Sequence, residues 1–384
     1  MTKIGIIGDV HVGNHAKLGG LKTCGINERC ESVLQSLDSA VSLANVEDVD
    51  ALIILGDLFD NPRPSPQMIK RVQDAIEKCP TIIIAGNHDQ CSDRADDNAL
   101  GPLMAVSEVL DMPDVIALDG VDLICVPYQA GNCEEWLHAE VKSLVQISKA
   151  PKRLLVFHAG IIDDDTPSFL RDSSAAIRAE VLFNLCSEFN IDTVFAGHWH
   201  NMRRWEFFDA KRSKNVDVLQ AGALVPTGWN NPGMDYGALY LYDVSAKTGE
   251  NISTVTVPGP RFITASLDDD LSVVQGGKAS GQPNKLYLRL QVTEKDVSLG
   301  ETILKAGIQS GTIEQGILDI SSTQTDLVAK KAACATRSAE TLDEALAVYT
   351  EKMVLKGVEE IDGPEARYEI RERATEYMKA KDEG

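Results

Sequence analysis

The stretch Ala51-Leu-Ile-Ile-Leu-Gly-Asp57-Leu-Phe-Asp60 carries five apolar residues directly into a glycine and two aspartates. A continuous apolar run of this length is typical of a strand that is buried on both faces, as in a parallel sheet. The glycine then allows a tight turn, so Asp57 stands at the carboxyl end of the strand. In open α/β sheets this end is where binding sites form. The stretch therefore predicts an α/β fold with a functional carboxylate at Asp57.

Four other apolar runs end in polar residues in the same way. Five of the seven histidines of the chain lie in the motifs that follow them, whereas chance would scatter histidines along the sequence. The runs and their motifs are Lys3–Gly8 with Asp9 and His11, Thr81–Ala85 with Gly86-Asn87-His88-Asp89, Arg153–Phe157 with His158, and Thr193–Ala196 with Gly197-His198-Trp199-His200.

These residue types are ligands for metal ions. Imidazole, carboxylate and amide oxygen together hold divalent cations that act on phosphate esters. Asp57 has two carboxylate oxygens and is the natural bridge between two ions about 3.5–4 Å apart. The pattern thus predicts a two-metal phosphoesterase. Three other candidates have simpler interpretations: we expect His15 in a loop, His138 on a helix surface, and Asp89 orienting a neighbour without binding metal.

The bulk composition limits the setting. The 384 residues indicate two or three domains, and no apolar run approaches the roughly 20 residues that a membrane span needs. The chain enters a strand at Lys3 and has eight cysteines without a CxxC pair, so we expect no signal peptide, reduced thiols and a cytoplasmic protein. A net charge of −21 argues against a broad basic surface for nucleic acid, but it does not exclude a nuclease.

Strands and helices alternate through the first 260 residues, which predicts two stacked mixed β-sheets flanked by helices. We expect three parts: a catalytic domain over residues 1–260, a small α/β capping domain over 261–335 after Pro258-Gly259-Pro260, and a helical tail over 336–384. A further strand is predicted at Val121–Val126. The predicted helices are Glu28–Asn45, Ser65–Lys78, Ala99–Leu110, Glu134–Ile147, Ser173–Phe189 and Ser298–Ser310.

The order DxH, GDxxD, GNHD, H, GHxH resembles the calcineurin-like metallophosphoesterases over roughly the first 230 residues. Within them, Gly56–Asp60 and the segment Gln220-Ala-Gly-Ala-Leu-Val-Pro-Thr227 are most similar to the SbcD-type nucleases, relatives of the meiotic recombination eleven DNA-repair nuclease. The resemblance implies a four-layer sandwich with a capping domain. It also implies a tail that docks on an SMC-like coiled-coil ATPase, and a homodimer in that complex.

By this resemblance one metal is bound by Asp9, His11, Asp57 and His200, and the other by Asp57, Asn87, His158 and His198. His88 matches a histidine that contacts the scissile phosphate and binds no metal. Archaeal and eukaryotic members carry a histidine three residues after the bridging aspartate, where this chain has Asp60. That difference puts a second histidine acting on the leaving strand in doubt.

The resulting hypothesis is an Mn²⁺-dependent DNA exonuclease or endonuclease in double-strand-break repair, with two Mn²⁺ ions; iron, zinc or magnesium are alternatives. One rival is another phosphoesterase of the same superfamily, such as a cyclic-nucleotide phosphodiesterase or a protein phosphatase. A second rival is a scaffold that has lost catalysis. In the tail, Thr341-Leu-Asp-Glu344 is a capping box that predicts a helix with one apolar stripe. This helix either docks a partner or packs on its own capping domain.

Overall fold

The fold of the chain is given by a computed structural model. It describes residues 2–15, 19–92, 94, 97–167, 171, 173–229, 237–247, 249–267, 286–311 and 313–321. The predicted helical tail at 336–384 lies outside the described residues, as do parts of the predicted capping domain. Strands β1–β19 and helices α1–α5 are numbered along the chain.

The first sheet carries three of the motif-bearing strands side by side. β1, β4, β5 and β6 run parallel, while β15 and β16 pair antiparallel on the other side of β1. The order is β16 (Ile252–Val257), β15 (Gly237–Asp243), β1 (Lys3–Ile7), β4 (Ala51–Ile54), β5 (Thr81–Ile84) and β6 (Glu108–Leu110).

The second sheet carries the other two. β8, β9, β12 and β14 are parallel, and an antiparallel strand closes each edge. The order is β13 (Arg203–Asp209), β14 (Lys214–Gln220), β12 (Thr193–Gly197), β9 (Lys152–His158), β8 (Val121–Val126) and β7 (Asp114–Leu118). Two short pairs lie outside the large sheets: β2 (Lys22–Thr23) with β3 (Ile26–Asn27), and β10 (Gly160–Ile162) with β11 (Ala176–Arg178).

Helices cover the outer face of each sheet, and the two inner faces meet in a shared apolar core. Asn27 caps α1 (Glu28–Val46) by accepting a hydrogen bond from the backbone N–H of Cys30, and Ser65 caps α2 (Pro66–Ile76) by accepting one from the backbone N–H of Met68. The predicted stacked mixed sheets flanked by helices are confirmed. The helices are α1 (Glu28–Val46) and α2 (Pro66–Ile76) on the first sheet, and α3 (Cys133–Val145) and α4 (Ala179–Phe189) on the second.

A small module follows β16 of the first sheet along the chain. Strands β17 (Arg261–Ser266), β18 (Leu286–Thr293) and β19 (Gln315–Ser321) form a sheet on which α5 (Val297–Gln309) packs. A 3₁₀ turn, Glu294–Asp296, precedes α5. The apolar residues that alternate along β18 are all buried: Leu286, Leu288, Leu290 and Val292.

The chain divides into two compact units. Residues 1–163 and 174–319 form the first, which holds both large sheets and most of the small module. The described residues of the second are 164–167, 171, 173, 320 and 321, and the guanidinium of Arg171 donates there to the backbone carbonyls of Thr166 and Asp164. The domain boundaries at 260 and 335 stay a prediction.

Two predicted helices are wrong in part. Ala99–Leu110 is a 3₁₀ turn (Gly101–Ala105) followed by β6, because Val109 and Leu110 complete the edge of the first sheet by pairing with Ile83 and Ile84. Pairing with an existing edge outweighs local helix propensity. The N-terminal part of Ser173–Phe189 forms β11, because residues 176–178 pair with Gly160–Ile162 of β10. Strands β7 and β13 were not predicted.

Two further features bear on the setting of the protein. The seven described cysteines are all free, and five of them are buried; Cys334 lies outside the described residues. No helix in the described part of the chain is long and apolar enough to span a membrane.

Candidate metal centre

All eight residues singled out in the sequence lie at one edge of the two sheets. β1, β4 and β5 of the first sheet end at this edge, as do β9 and β12 of the second. The buried members are fully or almost fully covered: Asp9 and His158 have no exposed surface, and Asp57 has 1 %. His88 is exposed, and Asn87, His198 and His200 are half-buried, so the site opens to solvent on one side.

Ligand atoms of Asp9, His11 and His200 form the first cluster, and all lie within 4.8 Å of one another. The Nε2 atoms of His11 and His200 are 2.8 Å apart, and His200 Nε2 lies 3.8 Å from Asp9 Oδ2. Two imidazoles and a carboxylate thus point at one small volume, which is the ligand set of a divalent cation.

The second cluster contains Asp57, His158 and His198, again within 4.8 Å. Asn87 joins them, with its Oδ1 atom 3.1 Å from His158 Nε2 and 2.9 Å from His198 Nδ1. Asp57 Oδ2 lies 3.4 Å from His158 Nε2 and 3.8 Å from His11 Nε2. Asp57 therefore stands between the two clusters, as a bridging carboxylate would.

The electrostatics of the site suit bound cations. Burial, reinforced by the nearby carboxylate of Asp57, raises the pKa of Asp9 to about 7. Burial also lowers the pKa of His11 and of His198 to about 3, so both imidazoles are neutral and keep a lone pair for a metal. His158 is the exception: burial opposes its charge, yet Asp57 and Asp9 raise its pKa to about 9. Two buried carboxylates thus draw positive charge into the site.

One buried acceptor fits a metal directly. Asp9 Oδ2 is inaccessible to solvent and accepts no hydrogen bond from any described residue. A buried carboxylate oxygen without a donor is costly unless a cation lies against it. Together with the neutral imidazoles, this atom shows that the residues present fit a metal ion.

The loops hold three of these residues in unusual backbone conformations. His11, Asp57 and His198 have φ values of 53°, 48° and 83°. Non-glycine residues in this left-handed region cost roughly 1–2 kcal/mol each. The backbone N–H groups of Val10 and His11 both donate to the carbonyl of Asp57, at 3.0 and 2.9 Å, and thereby offset part of this cost.

Glycines bring the loops into close contact. A Cβ on Gly56, whose φ is +92°, would collide with the imidazole of His158, and a Cβ on Gly86 would collide with the carboxylate and backbone nitrogen of Asp57. Only a glycine fits such positions, because the neighbouring atoms belong to backbone or to the site itself.

The carboxylate of Asp89 holds the loop after β4 and the loop after β5, and it belongs to neither cluster of ligand atoms among the described residues. Its buried carboxylate accepts hydrogen bonds from the backbone N–H groups of Phe59, Gly86 and Leu58, at 2.9, 3.0 and 3.3 Å. The expected orienting role thus acts on two loops. His138 lies on α3 beside Glu188, away from the site, as predicted.

His88 lies at the mouth of the site. Its backbone N–H donates to Asp57 Oδ1 at 2.8 Å, and its Nδ1 lies 2.9 Å from the carbonyl of Asp60. A carbonyl only accepts, so Nδ1 carries the proton and Nε2 is the atom left for another partner. Ligand atoms of His88, His11 and Asp57 also lie within 4.8 Å of one another, which puts His88 beside both clusters.

Three further side chains, those of Asp60, Tyr128 and Thr227, lie beside the histidines of the site, and the sequence assigned no ligand role to them. Asp60 lies 3.6 Å from His11 Nδ1 and 3.7 Å from His15 Nδ1, so His15 lies beside the site, in the loop predicted for it. Tyr128 packs near His198 and His158, with ring centroids 6.4 and 6.3 Å away. Its position two residues after β8 was an available indication. Thr227 ends the segment Gln220–Thr227 that carries the resemblance, and its hydroxyl lies 3.3 Å from His200 Nδ1, a contact that the sequence did not predict.

Comparison with known proteins places residues 2–202 in the family described as calcineurin-like phosphoesterase. A curated relative is the DNA double-strand break repair protein Mre11 of Methanocaldococcus jannaschii, 25% identical over 161 residues. These cover 40% of this chain and 43% of that protein, so the chain matches less than half of the relative's length.

Three solved structures are similar at low sequence identity. TT1561 of Thermus thermophilus is 12% identical with a TM-score of 0.43, over 66% of this chain and 98% of that one. Purple acid phosphatase PPD1 from yellow lupin seeds is 14% identical with a TM-score of 0.41, over 66% and 53%. A dimetal phosphatase from Danio rerio is 12% identical with a TM-score of 0.39, over 67% and 99%.

Proposed function

Because this chain belongs to the calcineurin-like phosphoesterases, we propose that it is a two-metal phosphodiesterase that hydrolyses DNA. The observation that carries the proposal is the position of Asp57, with one oxygen within 4 Å of imidazoles from both clusters. Such a carboxylate is what two cations need in order to act on one phosphate.

We assign Asp9, His11, Asp57 and His200 to one ion, and Asp57, Asn87, His158 and His198 to the other. When bound, two such ions supply charge neutralisation at the phosphate and a nucleophile at neutral pH. The mixed imidazole, carboxylate and amide ligands without thiolate favour Mn²⁺, with iron, zinc or magnesium as alternatives.

His88 is assigned to the substrate. With Nδ1–H donated to the Asp60 carbonyl, a protonated Nε2 can donate to a phosphate oxygen or to the departing 3′ oxygen. His88→Ser is expected to lower turnover by about 10²–10⁴-fold, which is typical of such roles, while two metal equivalents are retained. Elemental analysis decides, because loss of one equivalent would make His88 a ligand.

DNA as substrate is supported by the partial similarity to a DNA double-strand break repair protein and by the small α/β module after the catalytic sheets. The net charge of −21 favours the rival, a phosphatase or cyclic-nucleotide phosphodiesterase. The test is Mn²⁺-dependent hydrolysis of linear duplex DNA, a cyclic nucleotide and a phosphomonoester by the same preparation. Asp57→Ala serves as the inactive control. Activity on the small substrates alone would favour the rival.

A scaffold without catalysis is the third possibility. Every proposed ligand position is filled and the side chains converge, which supports an active enzyme. Metal content after purification without chelators tests this rival: a protein that takes up no metal would favour it.

The free cysteines among the described residues support a reducing, cytoplasmic setting.

The partner is proposed to be an SMC-like coiled-coil ATPase, bound by the tail at 336–384, with two copies of this chain in the complex. Its support is the apolar stripe predicted in the tail sequence and the partial similarity to the repair protein. Deleting residues 338–384 should abolish binding of the ATPase and leave cleavage of a short DNA substrate intact. Unchanged affinity for the ATPase would contradict the docking role.

A further inference from the structure

The segment Gln220–Thr227 contains none of the proposed metal ligands, yet it contacts the loops that carry two of them. The backbone N–H of Ala223 donates to the carbonyl of His200 at 3.1 Å, and that of Leu224 donates to the carbonyl of Asp9 at 2.8 Å. Both contacts are made by the backbone and therefore fix where each loop lies. The segment therefore holds the backbone of Asp9 and of His200, two members of the first cluster, in place.

Thr227, at the end of this segment, reaches a ligand side chain directly. Its hydroxyl oxygen lies 3.3 Å from His200 Nδ1, on the far side of the imidazole from Nε2, which faces His11 and Asp9. An imidazole that binds a metal through Nε2 carries its proton on Nδ1 and must donate it. In the second cluster the backbone carbonyl of Leu55 takes that place, 2.6 Å from His158 Nδ1.

Thr227 is itself fixed by a buried arginine. Arg29 of α1 is 2 % exposed, and its Nη2 donates to the carbonyl of Pro226 at 2.8 Å. The peptide that accepts this hydrogen bond joins Pro226 to Thr227. A shift of the guanidinium would therefore move the backbone that carries the Thr227 hydroxyl.

The guanidinium is held in turn by the small module. It lies over the ring of Phe262 in β17, 4.4 Å from the centroid, and 5.2 Å from the ring centroid of Tyr287 in β18. The two rings stack at 4.7 Å with an interplanar angle of 6°. A cation against stacked aromatic faces in a buried setting is a directional contact. A continuous series of contacts thus leads from β17 and β18 to His200.

From this series we infer that Thr227 is a positioning residue that sets the tautomer and orientation of His200, and that β17 and β18 tune the affinity of one metal site through Arg29. The inference rests on the proposed metal centre. It assigns to the small module an effect on metal binding that does not require contact with substrate.

The first experiment titrates the full-length, metal-free protein with MnCl₂ in a calorimeter. Thr227→Val keeps the side-chain shape and removes the hydroxyl, and it should weaken one of two sites by about 10–100-fold, as loss of an outer partner of a metal-bound histidine does. Thr227→Ser keeps the hydroxyl and should bind Mn²⁺ with the affinity of the wild type. Thr256→Val, at an exposed position of β16, is the matched control and should bind as wild type.

The second experiment tests the connection to the small module. Phe262→Leu should weaken the same site, and a double-mutant cycle with Thr227→Val should be non-additive, because both changes act through one series of contacts. Additive effects, or loss of both sites together, would overturn the connection. Unchanged affinities in Thr227→Val would overturn the positioning role. A wild-type protein that takes up no Mn²⁺ would instead refute the proposed metal centre.

Discussion

Gly197→Ala should lower kcat and weaken metal binding although it alters no proposed ligand. Gly197 ends β12 and pairs with His158 across the sheet, between the two clusters. A Cβ there would lie 2.8 Å from Asp9 Oδ1 and 2.9 Å from His158 Nδ1, and it would meet the carbonyl of Leu55 at still closer range. The residue does not have a positive φ, so alanine is strained by its surroundings and not by its own backbone.

The size of the effect follows from these distances. Ordinary contact begins at 3.4 Å, so Asp9 and His158 must each retreat by about half an ångström, and the backbone of Leu55 resists. A misplacement of 1 Å costs about 10²-fold in rate, so we expect a loss of about 10- to 10²-fold in kcat. Overpacking of this kind lowers the free energy of unfolding by roughly 1–3 kcal/mol.

The assay is hydrolysis of bis(4-nitrophenyl) phosphate at saturating MnCl₂, with metal affinity measured by calorimetry. Gly101→Ala is the control, because a Cβ at Gly101 meets no atom within 4 Å. Gly101→Ala should behave as wild type, whereas Gly197→Ala should show lower kcat and weaker metal binding. Wild-type kcat and affinities in Gly197→Ala would refute the reasoning.

Three further predictions concern stability. Chelation of bound metal should lower the melting temperature, because ligand at 100 times its Kd stabilises the folded state by about 2.7 kcal/mol; an unchanged melting curve would argue against bound metal. Asp89→Ala should leave buried N–H groups of Phe59 and Gly86 without their acceptor, at about 1–3 kcal/mol each, and should reduce metal affinity in the same calorimetric titration. Although burial opposes it, hydrogen bonds from Ala150, Ser148 and Lys149 hold the pKa of Asp122 below its ordinary value. The stability that Asp122 adds is therefore present above its unfolded pKa and is lost as the pH falls through its folded pKa. In urea denaturation, Asp122→Ala should have a lower free energy of unfolding than wild type at pH 7, and the difference should shrink in acid.

The strand-end motifs were predictable because they are local. A buried parallel strand must be apolar along its whole length, so the first polar residue after it marks the end where neighbouring strands also finish. Asp9, Asp57, Asn87, His158 and His198 could all be placed at one edge on that basis.

The pairing at the edges of the sheets was not predictable in the same way. Residues 101–110 have a composition compatible with a helix. They form a 3₁₀ turn and strand β6 because residues 108–110 pair with β5. Strand β13 likewise exists because β14 offers it seven paired positions. Such contacts join segments that are distant in the sequence. Local propensity therefore does not determine whether such a segment becomes a strand.

By itself, therefore, the sequence determined the α/β class, the residue types of the candidate metal centre and the strands that bear them, since each depends on a short run of neighbours. The tertiary structure alone decided that Asp57 stands between two clusters, that Asp60 lies beside His11 and His15, and that the hydroxyl of Thr227 lies beside His200. These facts depend on atoms that are distant in the chain and are brought within a few ångströms by the packing of two sheets, which no local pattern encodes.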